Sequence, residues 1–139
     1  MIVLDTNVLS ELMKPAPSAA VERWVAAQPA SSLFTTTITQ SEILYGVAQL
    51  PRGRRRSSIE EAVEAMFAED FAGRLLPFDS AAARAFATLA AARRKAGRPI
   101  AQLDAQIAAI ARSRNAAIAT RNVGDFEDCG VTVHNPWRS

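Results

Sequence analysis

Five short runs of apolar and β-branched residues, 2–5 (IVLD), 32–37 (SLFTTT), 74–78 (RLLPF), 116–120 (AAIAT) and 131–134 (VTVH), alternate with segments of helical spacing. No other feature constrains the fold so strongly. A strand, a helix and a second strand close into one sheet as a right-handed crossover between parallel neighbours. The pattern therefore predicts an α/β fold: three layers, α/β/α, around a central, mostly parallel sheet of about five strands. The helical segments carry apolar stripes, with Val21, Trp24 and Val25 in 18–28, Ile43, Leu44, Val47 and Leu50 in 39–50, and Ile59, Val63, Met66 and Phe67 in 58–72. Gly73 is the expected stop of the third of these. An alanine-rich helix over 80–96 should end at Gly97, with Pro99 beyond, and 102–114 places Leu103, Ile107, Ile110 and Ala111 on one face.

A chain of 139 residues fits one domain, 1–139, able to bury roughly two-thirds of its unfolded surface without covalent staples. The single cysteine, Cys129, excludes an internal disulfide and fits a reducing compartment. An acid as early as Asp5 and the lack of a basic leader argue against a secretory signal, and no apolar run approaches the ~20 residues of a membrane span. A soluble cytoplasmic protein is expected. The net charge of +2 is mild, but the positive residues cluster, as RGRRR at 52–56 and RRKAGR at 93–98. This permits a polyanionic partner without requiring one.

Asp5 is out of character at the tip of an inner strand. In an open parallel sheet the carboxyl ends of the strands and the amino ends of the following helices share one edge, where ligands bind. Asp5 ends the first strand. With Thr39 read as an N-cap, Glu42 falls in the first turn of the helix after the second strand. Asp104 lies near the start of the helix that leads into the fourth strand. Thr120 closes that strand, so Arg121, Asn122 and Asp125 project from the same edge. Gathered carboxylates either raise a pKa or require a cation. Mg²⁺ or Mn²⁺ suits such oxygen donors and tolerates a partial water shell and a substrate phosphate. Cys129 and His134 each stand alone, so no zinc-type set exists. The implied chemistry is metal-assisted hydrolysis of a phosphoester, with Asp5 and Asp104 as principal ligands. Glu42 would hold water or a second ion, Thr6 would orient Asp5, and Asn122 and Asp125 would complete the outer surroundings.

The DTN at 5–7, TQSEILYG at 39–46, LDAQIAA at 103–109 and ATRNVGDF at 119–126 resemble the motif set of PIN-domain nucleases. LPFD at 76–79 and NPW at 135–137 are similar to the FitB-like branch of the VapC-type toxins of toxin–antitoxin systems. The resemblance covers essentially the whole chain and implies a PIN-like fold and a Mg²⁺- or Mn²⁺-dependent endoribonuclease. It implies RNA as substrate, a cognate VapB-like antitoxin as inhibitor, DNA contact only through that antitoxin, and a homodimer or a larger assembly with it. By position, Asp5, Glu42 and Asp104 match family acids. Asn122 departs from the pattern, standing where the family often has a fourth acid, and leaves Asp125 as candidate substitute. The antitoxin of such proteins lays a helix or tail over the cleft, often with an arginine among the carboxylates. The helical pair 39–50 and 58–72 would form its groove.

Each acid also has a plain structural reading. Asp5 and Asn7 suit a cap for a helix starting near Val8, Thr39-Gln-Ser-Glu42 fits a capping box, and Asp104 suits the positive end of a helix dipole. Convergence on one edge, together with the spacing, is what favours the catalytic reading. Arg52, Arg54, Arg55 and Arg121 are candidate contacts to substrate or inhibitor phosphates, although the first three also suit a solvated loop. The second basic cluster suits a helix end, and Trp24 and Trp137 suit packing rather than base stacking. A haloacid-dehalogenase-like phosphotransferase would need an acid where Asn7 stands. A catalytically impaired α/β module binding RNA or a partner is the alternative that Asn122 supports. Metal–carboxylate sites do not themselves separate RNA from DNA.

Overall fold

The computed structural model describes residues 1–138. Ser139, the last residue of the expected single domain, lies outside them. Five strands, β1 (Ile2–Leu4), β2 (Leu33–Thr36), β3 (Leu75–Leu76), β4 (Ala117–Ala119) and β5 (Val133–His134), form one sheet in the order β3-β2-β1-β4-β5. All four pairings are parallel, with Val3 opposite Phe34 on one side and Ile118 on the other. Six helices surround it: α1 (Thr6–Leu12), α2 (Ala19–Ala26), α3 (Thr37–Ala48), α4 (Arg54–Ala65), α5 (Ser80–Lys95) and α6 (Gln102–Ser113). Every predicted strand is present, each trimmed by at least one residue.

The alternation of side chains along a strand divides the core in two. Val3 and Ile118 face a cluster built from α5 and α6, including Leu89, Ile107 and Ile110. Leu4 and Ala119, one residue on, face the opposite cluster with Val8, Leu9, Val21, Ile43 and Val63 from α1 to α4. The three-layer expectation holds. Alanines at 105, 108, 109 and 111 are buried against the sheet and α5, where small side chains let helix and sheet approach closely.

Helix boundaries also differ from the sequence reading. Helix α1 starts at Thr6 rather than near Val8, because Asp5 itself is the N-cap. Helix α3 starts at Thr37, capped by Thr36, whose Oγ1 accepts from the Thr39 amide at 3.0 Å. Strand β2 ends where Thr36 pairs with Leu76, so the cap follows at once and Glu42 sits in the second turn, not the first. The RGRRR run is not a loop. From Arg54 it opens α4, against the helix dipole. Arg56 offsets this by pairing with Glu60 one turn on (2.7 Å) and donating to the Leu50 carbonyl (3.3 Å). Helix α4 then continues into a π-helical turn, Met66–Asp70, and Gly73, at φ 71°, makes the left-handed turn into β3.

Among the described residues no helix is long and apolar enough to cross a membrane. The helical pair expected to form the antitoxin's groove lines two hollows that it shares with α1. One hollow of about 410 Å³ is lined by Leu9, Leu12, Met13, Val25, Ala62 and Met66, and another of about 240 Å³ by Met13, Ile43, Val47 and Leu50.

Candidate active site

The chain leaves β1 in one direction to build β2 and β3, then returns to the other side of β1 to build β4 and β5. A crevice at the carboxyl ends of β1 and β4 is the consequence. The Asp5 amide donates to the Ala119 carbonyl at 3.0 Å, so the side chains of Asp5 and Thr120 leave the sheet as neighbours. Both are buried. The Thr120 hydroxyl donates to Asp5 Oδ2 at 2.7 Å, and the Thr6 amide donates to Asp5 Oδ1 at 2.8 Å. Asn7 Nδ2 lies 3.4 Å from Oδ2 and 3.2 Å from the Thr120 hydroxyl. A carboxylate has about four lone-pair positions. Thr6, Thr120 and Asn7 occupy three of them, which leaves one on Oδ1 without a protein donor.

A cleft of about 430 Å³ lies above this floor, lined by Asp5, Thr6, Asn7, Glu42, Asp104, Asn122, Glu11, Lys14, Ser10, Arg121 and Trp137. The three predicted acids thus share one cleft. Burial raises the Asp5 carboxyl above its ordinary range; hydrogen bonds from Thr120 and Thr6 oppose this, and the charges of Glu42 and Asp125 add to it. Asp104, in the first turn of α6, is raised by partial burial and then by the charges of Asp5 and Asp125. The charge on Asp5 therefore opposes ionisation of Asp104. Glu42 is held from α1: the Thr6 hydroxyl donates to Oε1 at 2.8 Å and sits 3.1 Å from the Thr39 hydroxyl. Thr6 thus orients Glu42 with its side chain and Asp5 with its backbone, a division of labour the sequence does not reveal.

Not every candidate reaches the cleft. Asp125 is exposed and lies outside the lining, although its charge is felt by Asp5 and Asp104. Arg52, just before α4, and Arg54 and Arg55, in its first turn, are exposed and line no part of the cleft. Arg121 does. Among the described residues no three His, Cys, Asp or Glu side chains gather closely enough to form a ready-made metal cage. The carboxylate cluster expected from sequence is thus looser than a closed cage, and Glu42 is held by Thr6.

Four contributors escaped the sequence reading. Glu11, only 8% exposed, accepts from Lys14 Nζ (3.0 Å) and the Ser18 amide (2.9 Å), and these bonds lower its pKa. It ties α1 to the start of α2 and holds Lys14 at the cleft. The signal was present: Asn7, Glu11 and Lys14 fall at i, i+4 and i+7, one helix face. Trp137 carries the Arg121 guanidinium over its ring, 5.2 Å from the centroid. Arg93, buried near the end of α5, reaches the segment that follows β4. It donates to the carbonyls of Arg98 (2.7 Å), Asp125 (3.0 Å) and Glu127 (2.9 Å) and approaches the Cys129 sulfur at 3.5 Å. The cluster read as a favourable helix end contains a buried clamp for the segment bearing Asn122 and Asp125. Burial raises the Cys129 thiol pKa, keeping it an inert core group.

Comparison with known proteins matches this architecture. The PIN domain family model aligns with residues 2–129. VapC ribonuclease Y4jK of Sinorhizobium fredii is 42% identical over 137 residues, covering 99% of this chain and 98% of the relative. Toxin FitB of Neisseria gonorrhoeae is 37% identical, with 99% of each chain covered. The crystal structure of FitAcB from Neisseria gonorrhoeae superposes with a TM-score of 0.94 at 37% identity over 100% of both chains. A structure of FitAB bound to an IR36 DNA fragment superposes equally well, over 100% of this chain and 97% of the other. The chain belongs to the PIN-domain family, among relatives named as VapC and FitB toxins.

Proposed function

We propose that this chain is a divalent-metal-dependent endoribonuclease, the toxin of a toxin–antitoxin pair. The observation that carries the reading is the convergence of Asp5, Glu42 and Asp104 on one cleft at the sheet's switch point, with the carboxyls of Asp5 and Asp104 both raised. The cleft lining offers oxygen donors and no His or Cys. Such a set fits Mg²⁺ or Mn²⁺, which bind through one or two carboxylates and leave positions for water and phosphate. The absence of a three-acid cage among the described residues agrees with that coordination style.

Asp5 and Asp104 would hold the ion, which when bound would supply charge neutralisation at the phosphate and acidify a water. The chain's own residues do the rest. Thr120, Thr6 and Asn7 fix the Asp5 carboxylate before any ligand arrives, so no reorganisation is needed on binding. Glu42 has Oε1 engaged by Thr6, which leaves Oε2 to orient the attacking water and accept its proton. Lys14 and Arg121 place positive charge at the cleft mouth, opposite in sign to its floor. The relatives named as ribonuclease and toxin support RNA as substrate. The FitAB structures support a VapB-like antitoxin partner, with DNA reached through it. The apolar hollows flanking α1 would receive the antitoxin's apolar side chains.

Purified protein should cleave RNA with Mg²⁺ or Mn²⁺, stop on chelation and resume on metal restoration. Asp5→Asn and Asp104→Asn should be inactive yet folded. Asn122, exposed where relatives of this type often have an acid, favours a second reading as an impaired module that binds RNA or a partner without hydrolysis. Metal-independent RNA binding with no cleavage, alike in wild type and both variants, would establish that second reading and end the first.

A further inference from the structure

The acidic cleft does not end at Arg121. Arg121, Asn122 and Trp137 also line a second cavity of about 680 Å³, whose other walls are Val123, Gly124, Asn135 and Arg138. The charge reverses along this path. The first cavity is floored by carboxylates, whereas the second is lined by two arginines, two asparagines and an indole, with no acid.

Arg121 is built into place at the junction. Its backbone amide donates to Asn7 Oδ1 at 3.2 Å, which ties it to the helix that positions Asp5. Its guanidinium lies over the Trp137 ring. Trp137 is set in turn by its own amide, which donates to Asn135 Oδ1 at 3.0 Å, and by packing against the core that α2 helps to form. Among the described residues, Arg121 makes no ion pair with an acid; Glu11, the acid whose pKa its charge influences, is already engaged by Lys14 and Ser18. A rigid guanidinium with its donor edge open matches phosphate, and its free face can stack on a base.

We propose that Arg121, braced by Trp137, forms a subsite for the nucleotide flanking the scissile phosphate, through which single-stranded RNA leaves the acidic cleft into the adjoining cavity. The inference rests on the ribonuclease reading and deepens it. Unstacked bases suit this surface because stacking on a planar cation requires a splayed strand, which a duplex does not offer. Trp137 is a positioning residue: it acts through Arg121.

The test measures the affinity of inactive Asp5→Asn for a single-stranded RNA oligonucleotide, alone and combined with Arg121→Ala, Arg121→Lys or Trp137→Leu, across a range of salt. KM and kcat are measured for the same substitutions in the active chain. Arg121→Ala should weaken binding roughly ten-fold and reduce the slope of log affinity against log salt by about 0.7, one phosphate contact on a single strand. Arg121→Lys should keep the slope but lose the effect of Trp137→Leu, since an ammonium lacks the planar stack. KM should rise with kcat largely retained. Arg121 is exposed, so its substitution leaves the core intact even if Trp137→Leu fails to fold. If the wild type cleaves RNA and Arg121→Ala matches it in KM and salt slope, the subsite is wrong and the ribonuclease reading stands. If the wild type neither binds nor cleaves RNA, both fall.

Discussion

The two sides of the cleft are built differently. Asp5, on the floor, accepts from Thr6, Thr120 and Asn7, and Glu42 beside it accepts from Thr6. On the facing wall, the side chains of Asp104 and Asn122 take part in none of the hydrogen bonds found among the described residues. The floor is fixed by the fold and the wall is left free. Preorganised dipoles lower the cost of binding charge, while an unengaged wall can adjust to what arrives. The floor should therefore set whether the site works, and the wall should set how tightly it holds an ion.

The largest expected effect tests that division directly. Asp5→Asn should reduce RNA cleavage by about a thousand-fold or more, of the size seen when key electrostatic groups are removed, and high Mn²⁺ should not restore it. Asp104→Asn should lose comparable activity at low metal but recover part of it as Mn²⁺ is raised. Equal rescue of both variants would break the distinction between floor and wall.

Next in size is Arg93→Met. Removing a buried guanidinium that satisfies three carbonyls should destabilise the chain by about 3 kcal/mol in denaturant unfolding. Thr120→Val should cost about 1–2 kcal/mol, because a buried hydroxyl serves Asp5, Asn7 and the Asn122 amide at once. The variant should also cleave more slowly. Asn122→Asp places a charge on the free wall and should tighten Mn²⁺ binding roughly ten-fold by calorimetry. No change would mean that this position does not face the ion.

The smallest effect concerns pH. Because burial lifts the Asp5 carboxyl, the native chain holds that proton more tightly than the unfolded chain. The cost of the bare carboxylate is therefore absent in acid and grows as pH rises through the folded pKa. In metal-free buffer Asp5→Asn should melt above wild type near pH 8, and the gap should close as pH falls into the acid range. A gap that widens in acid would contradict the buried-carboxylate account.

The sheet, its parallel sense and the edge that gathers Asp5, Glu42 and Asp104 were legible because strand period and chain order are local signals. Glu42's exact turn was not. Four threonines at 35, 36, 37 and 39 offer competing caps, and the choice of Thr36 depends on pairing with β3, far along the chain. Glu11 was legible in principle through its spacing from Asn7. Arg93 and Trp137 were not, because their partners lie more than thirty residues away in the first case and sixteen away in the second. The RGRRR run misled through composition: charge density marks exposure, and says little about which face of the molecule bears it.

Arg93 grips main-chain oxygens of the segment after β4 and, apart from the Cys129 sulfur, bonds none of its side chains. The path of that segment is consequently indifferent to what positions 122 and 125 carry. Substitution at position 122 or 125 can then alter the electrostatics of the cleft while the backbone stays where it is, so this stretch can drift between acid and amide without endangering the architecture.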